Sequence, residues 1–407
     1  MIKIGIECEN LEDPKSRWGI GKITLNLLKE FSKNPEWQKQ YKLYLYFKSR
    51  VPDDEVLKNP IFVKRVLGFP SFNIFYHILM PLRAMVDRVD WMFFPAYQLP
   101  LLYFGKSIVV LTEDAYYEYR YGNLPFRYKL SYRIFTNWAA KFATKIIAIS
   151  ETSKKEVARV YKINPDKIFV NHLGVNLSQP TTYPAPSLSA DRHSERGRAW
   201  SGASNLQPTT YPYLLFVGQM FPRRHARETI LAFEKLLRQS SGQVATEHSN
   251  ILENVGMSEL KLIMVGPDKY PEPIINSLVT QVNKRLSREA IIHKNYVGNE
   301  ELTKLYAGAK MLVYVSDREA FGLPPMEALS FGIPPIIADN KLGHELFGDY
   351  AFYSKSGNAD DITDAIKQAL TDTEKGQKIK HSGPEFVKKY NWKNFADKFL
   401  KIVTYEK

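Results

Sequence analysis

Short apolar runs that end in glycine turns and lead into helical patterns recur in both halves of this 407-residue chain. The run Lys3–Cys8 precedes a glycine-containing segment and a helix-like stretch from Ile23 to Phe31. The run Tyr213–Gly218 precedes a helix-like stretch from Glu228 to Leu237 in the same way. Alternating strands and helices predict parallel sheets, and the length favours two domains. We therefore expect an α/β protein with two Rossmann-like domains that face each other across a cleft.

Other strand-like runs agree with this interpretation. They are Ser107–Leu111, Lys145–Ile149, Ile168–Asn171, Leu262–Val265 and Met311–Val315. In open parallel sheets, ligands bind beyond the carboxyl ends of the strands. Site residues are therefore expected in the loops that follow these runs.

Residues 177–212 separate the two halves and are rich in Ser, Pro, Thr and Arg. The hexapeptide Gln-Pro-Thr-Thr-Tyr-Pro occurs there twice, at 179–184 and 207–212. This composition predicts a linker with a disordered insert between a first domain, 1–176, and a second domain, 213–385. Residues 240–258 read as a second lengthened surface loop.

The formal net charge of +13 is concentrated in the first half, where residues 1–177 hold 27 Lys+Arg against 17 Asp+Glu, a net +10. An anionic membrane surface, a phosphate-bearing acceptor and nucleic acid are the partners that such a charge suits. Residues 116–145 interleave aromatic and basic side chains. Within them, Leu130, Ile134, Trp138 and Phe142 fall on one helical face, which we expect to pack inside the first domain.

The chain contains a single cysteine, Cys8, which excludes an intramolecular disulfide and is interpreted as a core residue. The amino terminus has an acid too early for a signal peptide, and no apolar stretch approaches the roughly 20 residues of a membrane span. We expect a cytoplasmic protein that can associate with the inner face of a membrane.

The most informative motif is Ser316–Leu329, where Glu319 and Glu327 stand eight positions apart around a glycine turn. It follows a strand-like run, and its two prolines suit the first turn of a helix. Backbone N–H groups at a helix amino terminus bind phosphate, whereas two carboxylates suit hydroxyl groups. A ligand with both a diphosphate and a sugar fits this combination. The turn residues expected beside it are Ala320, Phe321, Gly322 and Leu323.

The motif resembles the Glu-x7-Glu signature of the retaining, family-four-type glycosyltransferases with the GT-B fold, also called glycosyl transferases group 1, and residues 330–338 resemble the strand that follows it there. The resemblance implies transfer of a sugar from a GDP- or UDP-linked donor to a glycan or glycolipid acceptor, with mannose favoured over glucose or N-acetylglucosamine. It implies surface-polysaccharide synthesis and no cofactor. It also implies a terminal helix, 386–407, that crosses back to the first domain. Ala320 replaces the usual glycine and would crowd the donor sugar.

The resemblance also implies donor contacts in three loops of the second domain. Arg224 aligns with a phosphate-binding lysine, with Arg223 beside it and Gln219 in place of a second base. These arginines would stabilise the charge that develops on the leaving diphosphate. The remaining donor contacts expected in this domain are Gly218, Gly266 and Val297.

In the first domain, Gly19 and Gly21 match a glycine loop that approaches the phosphates or the acceptor, although the pair alone is a weak signal. Glu113 and Asp114 stand where the family commonly has His-Asp, and the histidine of that pair touches the donor sugar. Asp114 is a candidate to accept the proton of the acceptor hydroxyl. An equally good interpretation is that Asp114 only solvates the end of the strand.

The sequence also allows other interpretations. A GT-B epimerase or phosphorylase would release free sugar or sugar phosphate, and a basic polyanion-binding protein would bind without turnover. Nucleic acid is not expected as a partner because the usual nucleic-acid motifs are not visible. The sequence supports a dehydrogenase function even less, because Gly19-Ile20-Gly21 lacks the third glycine of the dinucleotide fingerprint. The histidines, Cys8 and the acids form no metal motif, so metal independence is predicted.

Overall fold

The computed structural model describes residues 1–13, 19–122, 125–175, 211–240 and 259–405. Most of the predicted interdomain insert and of the second predicted loop, residues 177–210 and 241–258, lies outside the described residues. The chain divides into two compact units. The first unit contains Met1–Gly174 and Tyr390–Lys407, and the second contains Val175–Lys389.

The described residues of the first unit form a parallel sheet of seven strands in the order β3-β2-β1-β4-β5-β6-β7. The strands are β1 (Ile2–Glu7), β2 (Tyr41–Phe47), β3 (Val63–Val66), β4 (Trp91–Phe94), β5 (Ser107–Val110), β6 (Lys145–Ala148) and β7 (Ile168–Val170). Strand β1 pairs with both β2 and β4, so the sheet extends in both directions from the first strand. The order reverses there, as in other doubly wound folds.

Helices cover this sheet. They are α1 (Gly19–Ser32), α2 (Pro35–Gln40), α3 (Glu55–Lys58), α4 (Phe72–Ile74), α5 (Met80–Asp87), α6 (Asp114–Tyr121), α7 (Phe126–Phe142) and α8 (Glu151–Tyr161). A π-helical turn, Phe75–Leu79, joins α4 to α5. One continuous core cluster packs Phe75, Met80 and Ala139 against strand residues such as Phe94 and Val109.

The described residues of the second unit form a parallel sheet of six strands in the order β10-β9-β8-β11-β12-β13. The strands are β8 (Tyr213–Val217), β9 (Lys261–Val265), β10 (Ile291–Lys294), β11 (Met311–Tyr314), β12 (Pro335–Ala338) and β13 (Phe352–Ser354). The helices are α9 (Ala226–Ser240), α10 (Ile275–Arg285), α11 (Asn299–Gly308), α12 (Leu323–Ser330), α13 (Lys341–Phe347), α14 (Ala359–Thr371) and α15 (Thr373–Val387). Two parallel-sheet Rossmann-like domains are therefore confirmed.

The last helix, α16 (Trp392–Thr404), packs on the sheet of the first unit. Its Phe399 ring lies 4.7 Å from the ring of Phe93 in β4. The Nζ of Lys145 donates to the carbonyl of Ile402 at 2.6 Å, and the amide of Asn171 donates to the carbonyl of Phe395 at 3.0 Å. The chain therefore ends as part of the unit in which it began.

The orientation predicted for the apolar face of α7 is wrong. Leu130, Ile134 and Phe142 are 43%, 48% and 50% exposed, and only Trp138 packs against the core. The residues that face inward are small, namely Thr136, Ala139 and Ala140. Small side chains let the helix lie close to the sheet. A periodic apolar pattern identifies one face of a helix, but it does not indicate whether that face is buried.

Within the described residues, no helix combines the length and the apolar character needed to cross a bilayer.

Candidate functional site

The predicted donor residues of the second unit follow the carboxyl ends of four adjacent strands, β10, β9, β8 and β11. Gly266 follows β9 with a φ of +137°, and a Cβ at this position would lie 2.0 Å from the carbonyl oxygen of Gly218, which follows β8. A side chain at residue 266 would therefore collide with the neighbouring backbone. The N–H of Met220 donates to the carbonyl of Pro267 at 2.9 Å and fastens the two loops together.

The central contact of this site is an ion pair between Arg224 and Glu319, which lie 95 positions apart in the sequence. The Nε of Arg224 donates to Oε1 of Glu319 at 2.6 Å, and its Nη2 donates to Oε2 at 3.2 Å. The hydroxyls of Tyr314 and Ser316 also donate to Oε1, at 3.0 and 3.1 Å. The structure thus brings two of the predicted residues into direct contact.

Electrostatics fixes the charge state of this carboxylate. Burial alone would raise the pKa of Glu319, but the attraction and hydrogen bonds of Arg224 outweigh it and hold the pKa below its ordinary value. Glu319 is therefore an acceptor at neutral pH, with no proton to donate. Arg224 also donates through Nη1 to the carbonyl of Gln219 at 3.1 Å, so both ends of the guanidinium are oriented.

A histidine and an aspartate that sequence reasoning missed join the same two loops. The Nε2 of His225 lies 2.7 Å from Oδ1 of Asp317, and the N–H of Asp317 donates to the carbonyl of Arg223 at 3.0 Å. A hydrogen bond to Glu228 raises the pKa of His225, burial opposes the rise, and Asp317 adds to it. The histidine follows the arginine pair directly, but nothing local in the sequence indicates its distant partner.

The glycine turn between the two glutamates has the predicted form. Gly322 precedes α12 with a φ of +82°, in the left-handed region that favours glycine. Ala320 and Phe321 are buried, at 6% and 3% exposure, so the alanine methyl group packs inward. Leu323 begins the helix, and two prolines follow it.

Glu327 lies in α12 with only 1% of its surface exposed, and its Oε2 accepts a hydrogen bond from the hydroxyl of Tyr306 at 3.0 Å. This carboxylate faces the protein interior, and its contact with a ribose hydroxyl stays a prediction. Val297 is also buried and packs in the core beside Tyr306. Its side chain supports the fold, and only its backbone remains to line a donor.

In the first unit, Glu113 and Asp114 follow β5, as predicted. Glu113 is turned inward and accepts a hydrogen bond from the hydroxyl of Ser153 in α8. Burial, reinforced by Asp114, raises the pKa of Glu113 to about 7. With 6% of its surface exposed, Glu113 offers little to a sugar. Asp114, half-buried at the first position of α6, is the better placed of the two.

Gly19 and Gly21 lie in the first turn of α1, so the predicted glycine loop is part of a helix. The sequence pattern placed the helix start at Ile23, four residues late. The N–H groups of a first turn have no intrahelical partner. Any contact of these glycines with a ligand stays a prediction.

Glu7 is a second buried acid in the first unit that sequence reasoning did not single out. It ends β1, is 4% exposed, and accepts hydrogen bonds from the N–H of Glu9 at 2.7 Å and the amide of Asn10 at 3.0 Å. Burial first, and then the charge of Glu9, raises the pKa of Glu7 to about 8. The sequence feature that could have identified Glu7 is an acidic residue at the end of an apolar strand-like run.

Among the residues with described coordinates, no group of three or more His, Cys, Asp or Glu side chains is arranged to hold a metal ion.

Family models match both halves of the chain. The model described as glycosyl transferases group 1 matches residues 201–386, and the model described as glycosyltransferase family 4 matches residues 35–179. The O-antigen chain mannosyltransferase B of Escherichia coli is 26% identical over 253 residues, which cover 62% of this chain and 58% of that protein. The serotype-specific mannosyltransferase WbdA of Escherichia coli is 25% identical over 278 residues, 66% of this chain and 30% of WbdA. The matches thus span less than two thirds of either relative.

Solved structures show the same fold. WaaG, a glycosyltransferase involved in lipopolysaccharide biosynthesis, superposes with a TM-score of 0.64 at 14% identity and covers 100% of both chains. HepE from Anabaena in complex with UDP-glucose superposes with a TM-score of 0.65 at 14% identity, covering 99% of this chain and 100% of HepE. The predicted GT-B fold is confirmed.

Proposed function

Because the chain belongs to the group 1 glycosyltransferases, we propose that it is a retaining mannosyltransferase that uses GDP-mannose and acts in surface-polysaccharide assembly. The mannose assignment rests on the O-antigen mannosyltransferases among its relatives. UDP-glucose, the ligand of HepE, is the second donor to test. The acceptor is a glycan or glycolipid that carries a free hydroxyl group.

The observation that carries the proposal is the oriented guanidinium of Arg224 at the strand ends of the second unit. Glu319 and the carbonyl of Gln219 hold it on two sides. In transfer, the bond from the anomeric carbon to the diphosphate oxygen breaks, and negative charge develops on the diphosphate. A fixed guanidinium beside that oxygen lowers the barrier because it needs no reorganisation as the charge appears.

The remaining steps, formation of the new glycosidic bond and loss of the acceptor proton, need no further reactant. The acceptor oxygen forms its bond to the anomeric carbon on the face from which the diphosphate leaves, which retains the configuration. The acceptor proton passes to the departing phosphate oxygen or to Asp114. Arginines supply the positive charge, so the reaction proceeds without a bound metal, and a chelator should leave the rate unchanged.

The test is turnover of radiolabelled GDP-mannose, UDP-glucose and UDP-N-acetylglucosamine with a glycolipid acceptor extract. Arg224→Ala should reduce turnover by roughly 100-fold or more, the cost of removing one preorganised donor. Arg238→Ala is the matched control, since Arg238 is 55% exposed near the far end of α9. NMR of the product should show the anomeric configuration of the donor.

Full activity in Arg224→Ala would contradict the proposed role of this residue. Free sugar or sugar phosphate as the only product would favour the epimerase or phosphorylase alternative. An inverted product would contradict retention and leave the transferase assignment intact.

A further inference from the structure

His225 in the second unit has a backbone conformation that residues other than glycine rarely adopt. Its φ is +48° and its ψ is +37°, in the left-handed region, and it joins the 3₁₀ turn Pro222–Arg224 to α9. We call Pro222–Arg224 the arginine turn. A left-handed residue that carries a Cβ strains the backbone, and the strain persists only where surrounding contacts hold it.

Backbone hydrogen bonds hold His225 on both sides. Its N–H donates to the carbonyl of Pro222 at 3.1 Å, which closes the arginine turn. Its carbonyl accepts from the N–H and from the hydroxyl of Thr229, both at 2.8 Å. The direction of the imidazole is therefore fixed by the turn before it and by the helix after it.

The imidazole of His225 meets three separate parts of the second unit. Its Nε2 lies 2.7 Å from Oδ1 of Asp317, in the loop after β11, and its Nδ1 lies 3.8 Å from Oε2 of Glu228, in the first turn of α9. A Cβ at Gly357, in the loop after β13, would collide with the ring. The side chain of His225 is 17% exposed. These contacts therefore enclose most of the ring.

The contact between His225 and Asp317 runs beside the ion pair of the candidate site. His225 directly follows Arg224, and Asp317 precedes Glu319 by two positions. The two contacts therefore join the same two loops at neighbouring points. A displacement of about 1 Å in a group that acts on the transition state can lower a rate roughly 100-fold.

We propose that His225 is a positioning residue, whose contact with Asp317 holds the arginine turn against the loop that carries Glu319 and so keeps Arg224 at the diphosphate. This inference rests on the proposed transferase function, in which Arg224 faces the leaving group. The proposal assigns His225 no contact with the donor or the acceptor. Its effect on transfer passes through Arg224.

The charge of His225 makes this contact depend on pH. The carboxylate of Glu228 raises the pKa of His225 above its ordinary value, burial opposes the rise, and Asp317 adds to it. The attraction of the imidazolium for both carboxylates is therefore present at low pH and is lost as the pH rises through the folded pKa. Arginine, lysine and tyrosine side chains ordinarily titrate well above neutral pH. The ionisable side chains of these types that flank the contact are Arg223, Arg227, Tyr270, Arg318 and Lys355.

The experiment measures donor turnover by wild type, His225→Ala, His225→Gln and His381→Ala between about pH 6 and pH 9. Both variants at residue 225 keep a Cβ, so the backbone strain stays similar. Glutamine retains an N–H donor for Asp317 but does not titrate. His381 is exposed on α15, and its replacement is the matched control for loss of a histidine. Urea unfolding checks that each variant is folded, and His225→Gln carries the test if His225→Ala does not fold.

His225→Ala should lower kcat/KM for the donor roughly 10- to 100-fold, because Arg224 loses its position. His225→Gln should restore most of that loss at high pH, where the wild-type histidine is also neutral. The ratio of wild-type to His225→Gln activity should fall from roughly fivefold near pH 6 to about one near pH 9, because a charge-assisted hydrogen bond is stronger than a neutral one. His381→Ala should match wild type at every pH.

A ratio of wild-type to His225→Gln activity that is the same at every pH would overturn the proposal, since a purely structural role predicts that result. Full activity of His225→Ala in an active wild-type background would also overturn it and would leave the transferase assignment intact. A wild-type chain that is inactive with every donor would instead contradict the proposed function, and this inference with it.

Discussion

At the scale of single residues, the ion pair between Arg224 and Glu319 defines the candidate site. Both side chains are largely buried, at 12% and 17% exposure. Breaking a buried pair by removing one partner costs more than the pair itself contributes, because an uncompensated charge remains. The two residues therefore act as one unit, in which the carboxylate positions the guanidinium.

The pH dependence of stability tests that pairing. The folded pKa of Glu319 lies below its usual value, so the ion pair stabilises the fold fully above about pH 4.5 and loses its effect as the pH falls through the folded pKa. Glu319→Gln should therefore be less stable than wild type at neutral pH by roughly 3 kcal/mol. Urea unfolding should show this difference shrinking towards about pH 3. A difference independent of pH would contradict the assigned ionisation.

The pH dependence of stability that Glu7 produces has the opposite sign. Its folded pKa of about 8 lies above the unfolded value, so the folded chain binds more protons between about pH 4.5 and 8, and stability falls as the pH rises through that range. Glu7→Gln keeps the shape of the neutral acid and removes the titration. Relative to wild type, the variant should gain stability between about pH 5 and pH 8.5 in urea unfolding. A constant difference across this range would show that Glu7 is not buried as described.

At the scale of elements, the turn before α12 depends on one backbone conformation. A Cβ at Gly322 would meet nothing closer than 3.7 Å, so Gly322→Ala strains only the left-handed backbone. The expected loss is about 1–2 kcal/mol in the free energy of unfolding. Gly376→Ala in α15 is the control, because that Cβ also meets nothing and the position is helical. Gly376→Ala should raise the free energy of unfolding by up to about 1 kcal/mol. Equal effects of the two substitutions would contradict a requirement for the left-handed conformation at Gly322.

Strands were the most predictable elements. Each run identified by its apolar pattern, such as Met311–Val315 against β11, agrees with its strand within one residue at either end. The range 330–338, assigned by resemblance, begins five residues before β12, which starts at Pro335. Buried parallel strands are short and continuously apolar, which makes them visible in sequence. Strands β2, β3, β4, β10 and β13 were not among the predicted runs. In β3, Lys64 and Arg65 interrupt the apolar pattern at the edge of the sheet.

The site was only partly predictable. The loops were found because glycines and prolines mark them, and Arg224 and Glu319 were singled out individually. Their mutual contact was not foreseen, and neither were the link from His225 to Asp317 and the inward turn of Glu113. These contacts depend on which strands become neighbours in the sheet, and one sequence does not specify that order locally.

At the scale of the whole molecule, the chain closes its first unit with its own last helix. Phe399 is 1% exposed and packs on Phe93 of β4. Phe399→Ala should lower the free energy of unfolding of the first unit by about 3–5 kcal/mol through the cavity it leaves. Lys401→Ala changes an exposed residue of the same helix and should have little effect. Thermal unfolding that is unchanged by Phe399→Ala would show that α16 does not complete this core.

The most direct test of the central claim is calorimetric titration of the wild-type chain, Arg224→Ala and Arg238→Ala with GDP and, in parallel, UDP. A charge-assisted hydrogen bond to the diphosphate contributes about 1.5–3 kcal/mol, so Arg224→Ala should weaken binding of the preferred nucleotide roughly 10- to 100-fold. Arg238→Ala should bind like wild type. If Arg224→Ala bound GDP as tightly as wild type does, and UDP as tightly as wild type does, the result would contradict a diphosphate site at Arg224.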